Sequence, residues 1–126
     1  MDPNVKKRMF TGRALSAQSH AERIEKRQGD QAGFQAAFSG FDALLTPTIL
    51  QPAIKLSDVD EDKNPGHFTR PFNYIDMCAL SLPTAYSAEG LPTSIQIVLP
   101  AGREGFAVKM GSALEAALGI SVRPKL

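Results

Sequence analysis

Apolar residues recur at helical spacing near the start of the chain. Ala17, Ala21 and Ile24 lie three or four positions apart, and the stripe continues through later phenylalanines. This period predicts a largely helical stretch over residues 4–39. Ser16 stands just before the stripe, where its hydroxyl can accept from an otherwise unpaired backbone N–H of the first helical turn. We therefore expect one long helix to begin after Ser16.

The pattern changes to strand spacing over residues 42–99. Short apolar runs at 43–46, 79–82 and 94–99 predict three strands, the first of them buried. Side chains alternate in direction along a strand. The last run therefore has two faces, one with Ile95, Ile97 and Leu99 and the other with Ser94, Gln96 and Val98.

A long polar connection, residues 49–70, separates the first two predicted strands. A connection of this length within a compact domain is usually functional, mobile or both. Asn73 follows it and is interpreted as a residue that opens the second strand.

The chain closes with a predicted helix over about residues 104–118, followed by Gly119 as its natural C′ residue. Helices before and after a small sheet indicate the α/β class, with helices flanking a mixed sheet. At 126 residues the length suits a single domain spanning 1–126. Three short strands make a thin sheet. If they belong to a larger sheet, at least one edge is unpaired here and open to association.

Charge and composition argue against nucleic-acid binding, membrane association, disulfide bonding and metal binding. Fourteen basic and thirteen acidic residues give a net charge of +1, which attracts neither nucleic acid nor an anionic membrane. No apolar run approaches the roughly 20 residues of a membrane span. The single cysteine, Cys78, excludes an intramolecular disulfide and favours a cytoplasmic location. The two histidines stand apart, so we expect neither a metal site nor a cofactor.

Three segments in order carry a resemblance to a known family. The first is Asp42-Ala43-Leu44-Leu45-Thr46-Pro47-Thr48. The second matches an Asn-x-x-Gly-x-Pro-Ala-x-Ser-x-Pro pattern at Asn73, Ala79, Ser81 and Pro83. The third matches Gly-Leu-Pro-x-Gly-x-Gln at Gly90, Leu91, Pro92 and Gln96. Together they resemble the C-terminal third of the amidase-signature enzymes, hydrolases that cleave carboxamide C–N bonds.

Two departures from the second pattern lie beside the substrate pocket that the resemblance implies. Asp76 stands in the glycine place and Cys78 in a proline place. The resemblance makes Asn73 a candidate pocket residue, although an asparagine here is also a common turn former. Asp76 is a candidate substrate contact or general base, and its alternative is a local cap or turn acceptor.

The resemblance also implies a mechanism whose main groups this sequence does not carry. The family uses a serine nucleophile, a cis-serine and a lysine, near a Gly/Ser-rich loop. No such loop occurs here, so we assign no catalytic residue and expect the chain not to hydrolyse amides alone. It would supply one wall of an amidase cleft. The alternatives are a self-associating or partner-binding module, or one chain of a split amidase whose partner carries the N-terminal half.

Overall fold

The computed structural model describes residues 1–60, 63 and 65–119. The contacts divide the chain into two compact units, Met1–Ala37 and the part from Phe38 onward. The single-domain organisation stays a prediction.

The first unit is helical. Helix α1 (Pro3–Phe10) begins at Asp2, whose Oδ1 accepts hydrogen bonds from the backbone N–H groups of Asn4 and Val5 at 2.8 and 3.2 Å. A 3-10 turn (Thr11–Ala14) follows, and then helix α2 (Ala17–Phe38). Ser16 caps α2 as predicted, because its Oγ accepts from the backbone N–H of Ser19 at 3.1 Å.

The second unit contains a three-stranded antiparallel sheet. Its strands are β1 (Leu44–Pro47), β2 (Met77–Tyr86) and β3 (Pro92–Pro100), in the order β1-β3-β2. Strand β3 is central, and Gly90 at a φ of 76° helps to close the β2–β3 turn. The prediction that β1 is buried is wrong: its residues alternate between half-buried and exposed, because β1 is an edge strand here.

The long connection contains more structure than its polar pattern predicts. A 3-10 turn (Leu56–Asp58) and a short helix, α3 (Arg70–Tyr74), form within and just after it. The interpretation of Asn73 as the opening residue of a strand is therefore wrong. Pro71 lies in the first turn of α3, where its missing N–H costs nothing, and Asn73 lies in the same helix.

Helix α4 (Glu104–Leu118) packs on β2 and β3. The core combines Leu82, Ile97, Leu99 and Ala107, and both Ile97 and Leu99 are almost fully buried. Helix α4 approaches β2 closely at Gly111, where a Cβ would lie 2.7 Å from a Leu80 methyl carbon. The predicted α/β class with flanking helices is confirmed, but both strand pairs in the described residues are antiparallel, so the sheet seen here is not the mixed one that was predicted.

Within residues 1–60, 63 and 65–119, no helix combines the length and apolar character needed to cross a membrane.

Candidate functional site

The sheet has one apolar face under α4, and its opposite face carries polar side chains together with the fully buried Val98. The strand register places Thr46, Gln96 and Ser81 side by side in one row across β1, β3 and β2. The next row places Ser94 opposite Pro83, and the Thr48 N–H donates to the Ser94 carbonyl at 3.1 Å. We call Thr46, Thr48, Ser81, Ser94 and Gln96 the polar face. Period-two alternation along β3 puts Ser94 and Gln96 on the same side, as the sequence predicts.

Gln96 is the buried centre of the polar face, with only 2% of its surface exposed. Its Nε2 donates to the Phe68 carbonyl at 2.8 Å and to Thr46 Oγ1 at 2.9 Å. The Pro47 carbonyl lies 3.5 Å from the same nitrogen. A buried polar group must be hydrogen-bonded to avoid a large desolvation cost, and these contacts meet that need. One side chain therefore joins β1, β3 and the segment that leads into α3.

Two hydroxyl groups at the end of the polar face form a pair. Thr48 Oγ1 and Ser81 Oγ are 3.1 Å apart, and both side chains are accessible. Such a pair can donate to and accept from a polar ligand. It does not form an activated nucleophile, because neither hydroxyl can take up the other's proton near neutral pH.

Residues 66–76 form the segment that carries both predicted site residues, and we call it the α3 segment. Asn73 is exposed, and its backbone N–H donates to the Thr69 carbonyl at 3.3 Å. Asp76 is also exposed and lies between α3 and β2.

Asp76 has the positive φ that a glycine position would favour. Its φ is 55°, the only positive value at a non-glycine residue in the described part of the chain. Aspartate tolerates this left-handed conformation better than most residues. The chain thus turns from α3 into β2 at Asp76 without a glycine, and the exposed carboxylate is held at that turn.

The structure places Asn73 and Asp76 three positions apart on one short segment, and both are accessible to a ligand. Sequence reasoning did not select Gln96 and its partners Thr46 and Phe68 as site residues. Two of them already lay within the recognised segments, Thr46 in the first and Gln96 in the third. The Phe68 carbonyl carried no signal, because a backbone group shows no preference in the sequence.

The long connection forms a concavity of about 520 Å³. Its lining combines apolar residues with charged ones, and the Lys63 ammonium lies 3.3 Å from an Asp60 carboxylate oxygen. Most of its apolar side chains come from one run along the chain: Ile49, Leu50, Pro52, Ala53 and Ile54. It is therefore a local feature of the connection.

A hydrogen bond from Ser87 lowers the pKa of Glu89, which lies in the β2–β3 turn. Among residues 1–60, 63 and 65–119, no group of three or more His, Cys, Asp or Glu side chains is arranged to hold a metal ion. Cys78 is a free, half-buried thiol whose Sγ lies 3.4 Å from the Pro100 carbonyl.

Comparisons with known proteins identify relatives of this chain. The chain is 36% identical over 105 residues to a glutamyl-tRNA(Gln) amidotransferase subunit of Geobacter sp. (strain M21), covering 76% of this chain and 22% of that protein. The corresponding protein from Granulibacter bethesdensis is 34% identical over 131 residues, covering 97% of this chain and 26% of that protein. The chain thus spans about a quarter of the length of these relatives.

Solved structures share the fold. A crystal structure of an amidase superposes with a TM-score of 0.80 at 31% identity, covering 94% of this chain and 29% of that one. A 6-aminohexanoate cyclic dimer hydrolase gives a TM-score of 0.83 at 21% identity, covering 99% and 30%. The family model described as Amidase matches residues 1–106. This chain therefore belongs to the Amidase family, and it corresponds to a C-terminal portion of the amidase-signature fold.

Proposed function

We propose that this chain forms one wall of the substrate cleft of an amidase. It would contribute the sheet, helix α4 and the polar face, while the α3 segment presents Asn73 and Asp76 to the substrate. The observation that carries the proposal is the buried Gln96, which bonds the polar face to the segment bearing both residues. A polar residue buried to this degree and bonded to two elements is suited to holding a binding surface in shape.

The two exposed side chains match the chemistry of a carboxamide. The Asn73 amide can donate to the substrate carbonyl and accept from its N–H groups. The Asp76 carboxylate accepts only, so it would bind the substrate's N–H groups or a cationic substituent. Both residues bind and orient the amide, and neither supplies a nucleophile with its base.

Hydrolysis itself would require groups from outside this sequence. The chain spans about a quarter of the length of its relatives, so the serine and lysine of the family would come from the remaining part of the fold. That part would be either a preceding segment or a separate partner chain. The relatives are named as subunits, which supports a partner chain, and we place the assembly in the cytoplasm.

The test is to complete the fold and measure amide hydrolysis. The matching part of the amidase of known crystal structure is replaced by residues 1–126 of this chain, and we call the product the completed amidase. Ammonia release from a panel of aliphatic and aromatic carboxamides is then measured for the completed amidase and for this chain alone. We expect turnover from the first and none from the second.

Two outcomes would contradict the proposal. One is a completed amidase that is folded by circular dichroism and inactive on every amide that its parent hydrolyses. The other is equal turnover by this chain alone. The parent amidase with its own segment rejoined at the same boundaries controls for damage caused by the junctions.

A second candidate function is a self-associating module. Both outer strands of the described sheet present an edge, and Leu45 on the β1 edge is 54% exposed. Open edges with accessible apolar side chains favour pairing with another chain. Light scattering of the purified chain tests this candidate: a concentration-dependent dimer that Leu45→Lys abolishes would support it, and a monomer at all concentrations would reject it.

A further inference from the structure

We infer that Gln96 is a positioning residue for the amide site, holding the α3 segment so that Asn73 and Asp76 face the substrate. The inference rests on the proposed function for its effect on substrate binding. Its structural part, the hold on the segment, can be measured on this chain alone.

The Gln96 amide has one hydrogen-bond acceptor for each of its two N–H groups. A primary amide nitrogen carries two hydrogens, and its two short contacts go to the Phe68 carbonyl at 2.8 Å and Thr46 Oγ1 at 2.9 Å. The Phe68 carbonyl can only accept, so it fixes the orientation of the amide. Since Gln96 is 2% exposed, water has little access to replace these bonds.

The α3 segment is fixed to the sheet at three points. Gln96 holds its beginning through the Phe68 carbonyl. In its middle, Phe72 is only 8% exposed, and α3 packs on β2. Its end continues directly into β2, where Met77 pairs with Pro100. Asn73 lies between the second and third points, and its N–H bonds to Thr69, the residue after Phe68. Removing the Gln96 bond to the Phe68 carbonyl would therefore allow the beginning of the α3 segment to shift.

The two Gln96 bonds allow a positioning role to be separated from a general loss of stability. The bond to Thr46 joins β3 to β1, whereas the bond to Phe68 joins β3 to the α3 segment. Gln96→Met keeps a side chain of similar length and removes both bonds, together with the 3.5 Å contact to the Pro47 carbonyl. Thr46→Val removes only the bond within the sheet, so it is the matched control.

The measurement is amide hydrogen exchange of the full chain, read separately for residues 66–76 and 104–118. We expect Gln96→Met to reduce protection of residues 66–76 by about tenfold more than protection of residues 104–118, the cost of one lost buried hydrogen bond. Thr46→Val should lower protection equally in the two regions, because it removes only the bond within the sheet. For Gln96→Met, an equal loss of protection in both regions, or no loss in either, would overturn the inference.

A second variant decides the matter if Gln96→Met does not fold. In Gln96→Glu, the introduced carboxyl can donate to the Phe68 carbonyl only when it is protonated. Burial raises the pKa of such a group. Protection of residues 66–76 should therefore recover as the pH falls through that pKa. Protection that is independent of pH would overturn the inference.

The effect on substrate is read in the completed amidase. There Gln96→Met should raise KM for the amide by about tenfold with a smaller change in kcat, because a displaced segment weakens binding. The surface variant Glu89→Gln, in the exposed β2–β3 turn, should leave KM unchanged. If the wild-type completed amidase has no activity, the proposed function fails, and hydrogen exchange still decides the hold on the segment. If the segment loosens and KM does not change, the positioning role is contradicted.

Discussion

The two faces of the sheet are built by different physical means. The face under α4 is apolar: Ile97, Leu99 and Leu82 bury their side chains against Ala107, and Gly111 permits close contact with the helix. The opposite face combines the directed hydrogen bonds of Gln96 with apolar burial at Val98, which is 0% exposed. The free energy of apolar burial depends mainly on the buried area and not on the direction of contact. A buried amide, in contrast, requires hydrogen-bond partners at particular distances and angles.

The two faces therefore have different roles in our account: one mainly stabilises the fold, and the other positions the proposed site. Burial of apolar area is the dominant favourable term in folding, and most of the buried apolar side chains of the second unit lie under α4. In our proposal, the polar face fixes the position of the exposed residues Asn73 and Asp76. Substitutions on the two faces should therefore have different signatures, which the following predictions use.

The largest effect is expected on the apolar face. Leu99 is fully buried, so Leu99→Ala should lower the free energy of unfolding by about 2–5 kcal/mol. The matched control is Leu45→Ala on the edge strand, where 54% exposure limits the loss to under about 1 kcal/mol. Urea denaturation measures both variants. Equal losses would show that the apolar core lies elsewhere.

The second prediction concerns the close approach at Gly111. A Cβ there would lie 2.7 Å from Leu80 and 3.2 Å from Leu82 methyl carbons, so Gly111→Ala forces these side chains to move. Overpacking costs about 1–3 kcal/mol, which exceeds the helix-propensity gain of about 1 kcal/mol or less.

The control for that substitution lies in the same helix. A Cβ at Gly105 would meet no atom within 4 Å, so Gly105→Ala should be neutral or slightly stabilising. Thermal denaturation compares the two variants. An equal rise in Tm for both would contradict the close packing of α4 on β2.

The third prediction compares two threonines of the polar face. Thr46→Val removes the 2.9 Å hydrogen bond of the buried Gln96 amide, leaving one of its two N–H groups with only the 3.5 Å contact to the Pro47 carbonyl, and should cost about 1–2 kcal/mol. Thr48→Val removes an exposed hydroxyl that bonds Ser81 and should cost about 0.5 kcal/mol or less. The free energies of unfolding in urea test this order. The reverse order would show that the hydroxyl pair, and not Gln96, organises this face.

The smallest effect is a pH dependence away from both faces. Ser87 lowers the pKa of Glu89 below its usual value of 4.5 in the folded chain. A carboxyl with a depressed folded pKa contributes stability above its unfolded pKa, and this contribution is lost as the pH falls through the folded value. Ser87→Ala should therefore raise the pKa of Glu89 toward 4.5, and an NMR titration measures that change. No change would contradict the Ser87 hydrogen bond.

The longer helices, the α/β class and the two faces of β3 could be predicted from the sequence, because apolar periodicity records which side chains face a core. Helix α3 was missed because five residues give too short a period to detect. The exposure of β1 could not be predicted, because buried strands and edge strands can both have a short apolar run in the sequence.

The candidate site was only partly predictable. Asn73 and Asp76 were found through their positions in a recognised pattern, and their role stays a prediction. The Gln96 network escaped because it depends on a carbonyl 28 residues away, which no local pattern reports. Gly111 was missed for a similar reason: only the approach of Leu80 explains why a glycine is needed in α4.

The most direct test of the central claim is the KM of the completed amidase carrying Asn73→Ala or Asp76→Asn. Both residues are exposed on the α3 segment, whereas Glu89→Gln in the β2–β3 turn is the matched surface control. If this chain forms a wall of the cleft, at least one of the two site variants raises KM by about tenfold, the cost of one hydrogen bond to substrate, and the control does not. An unchanged KM in both site variants would contradict the account.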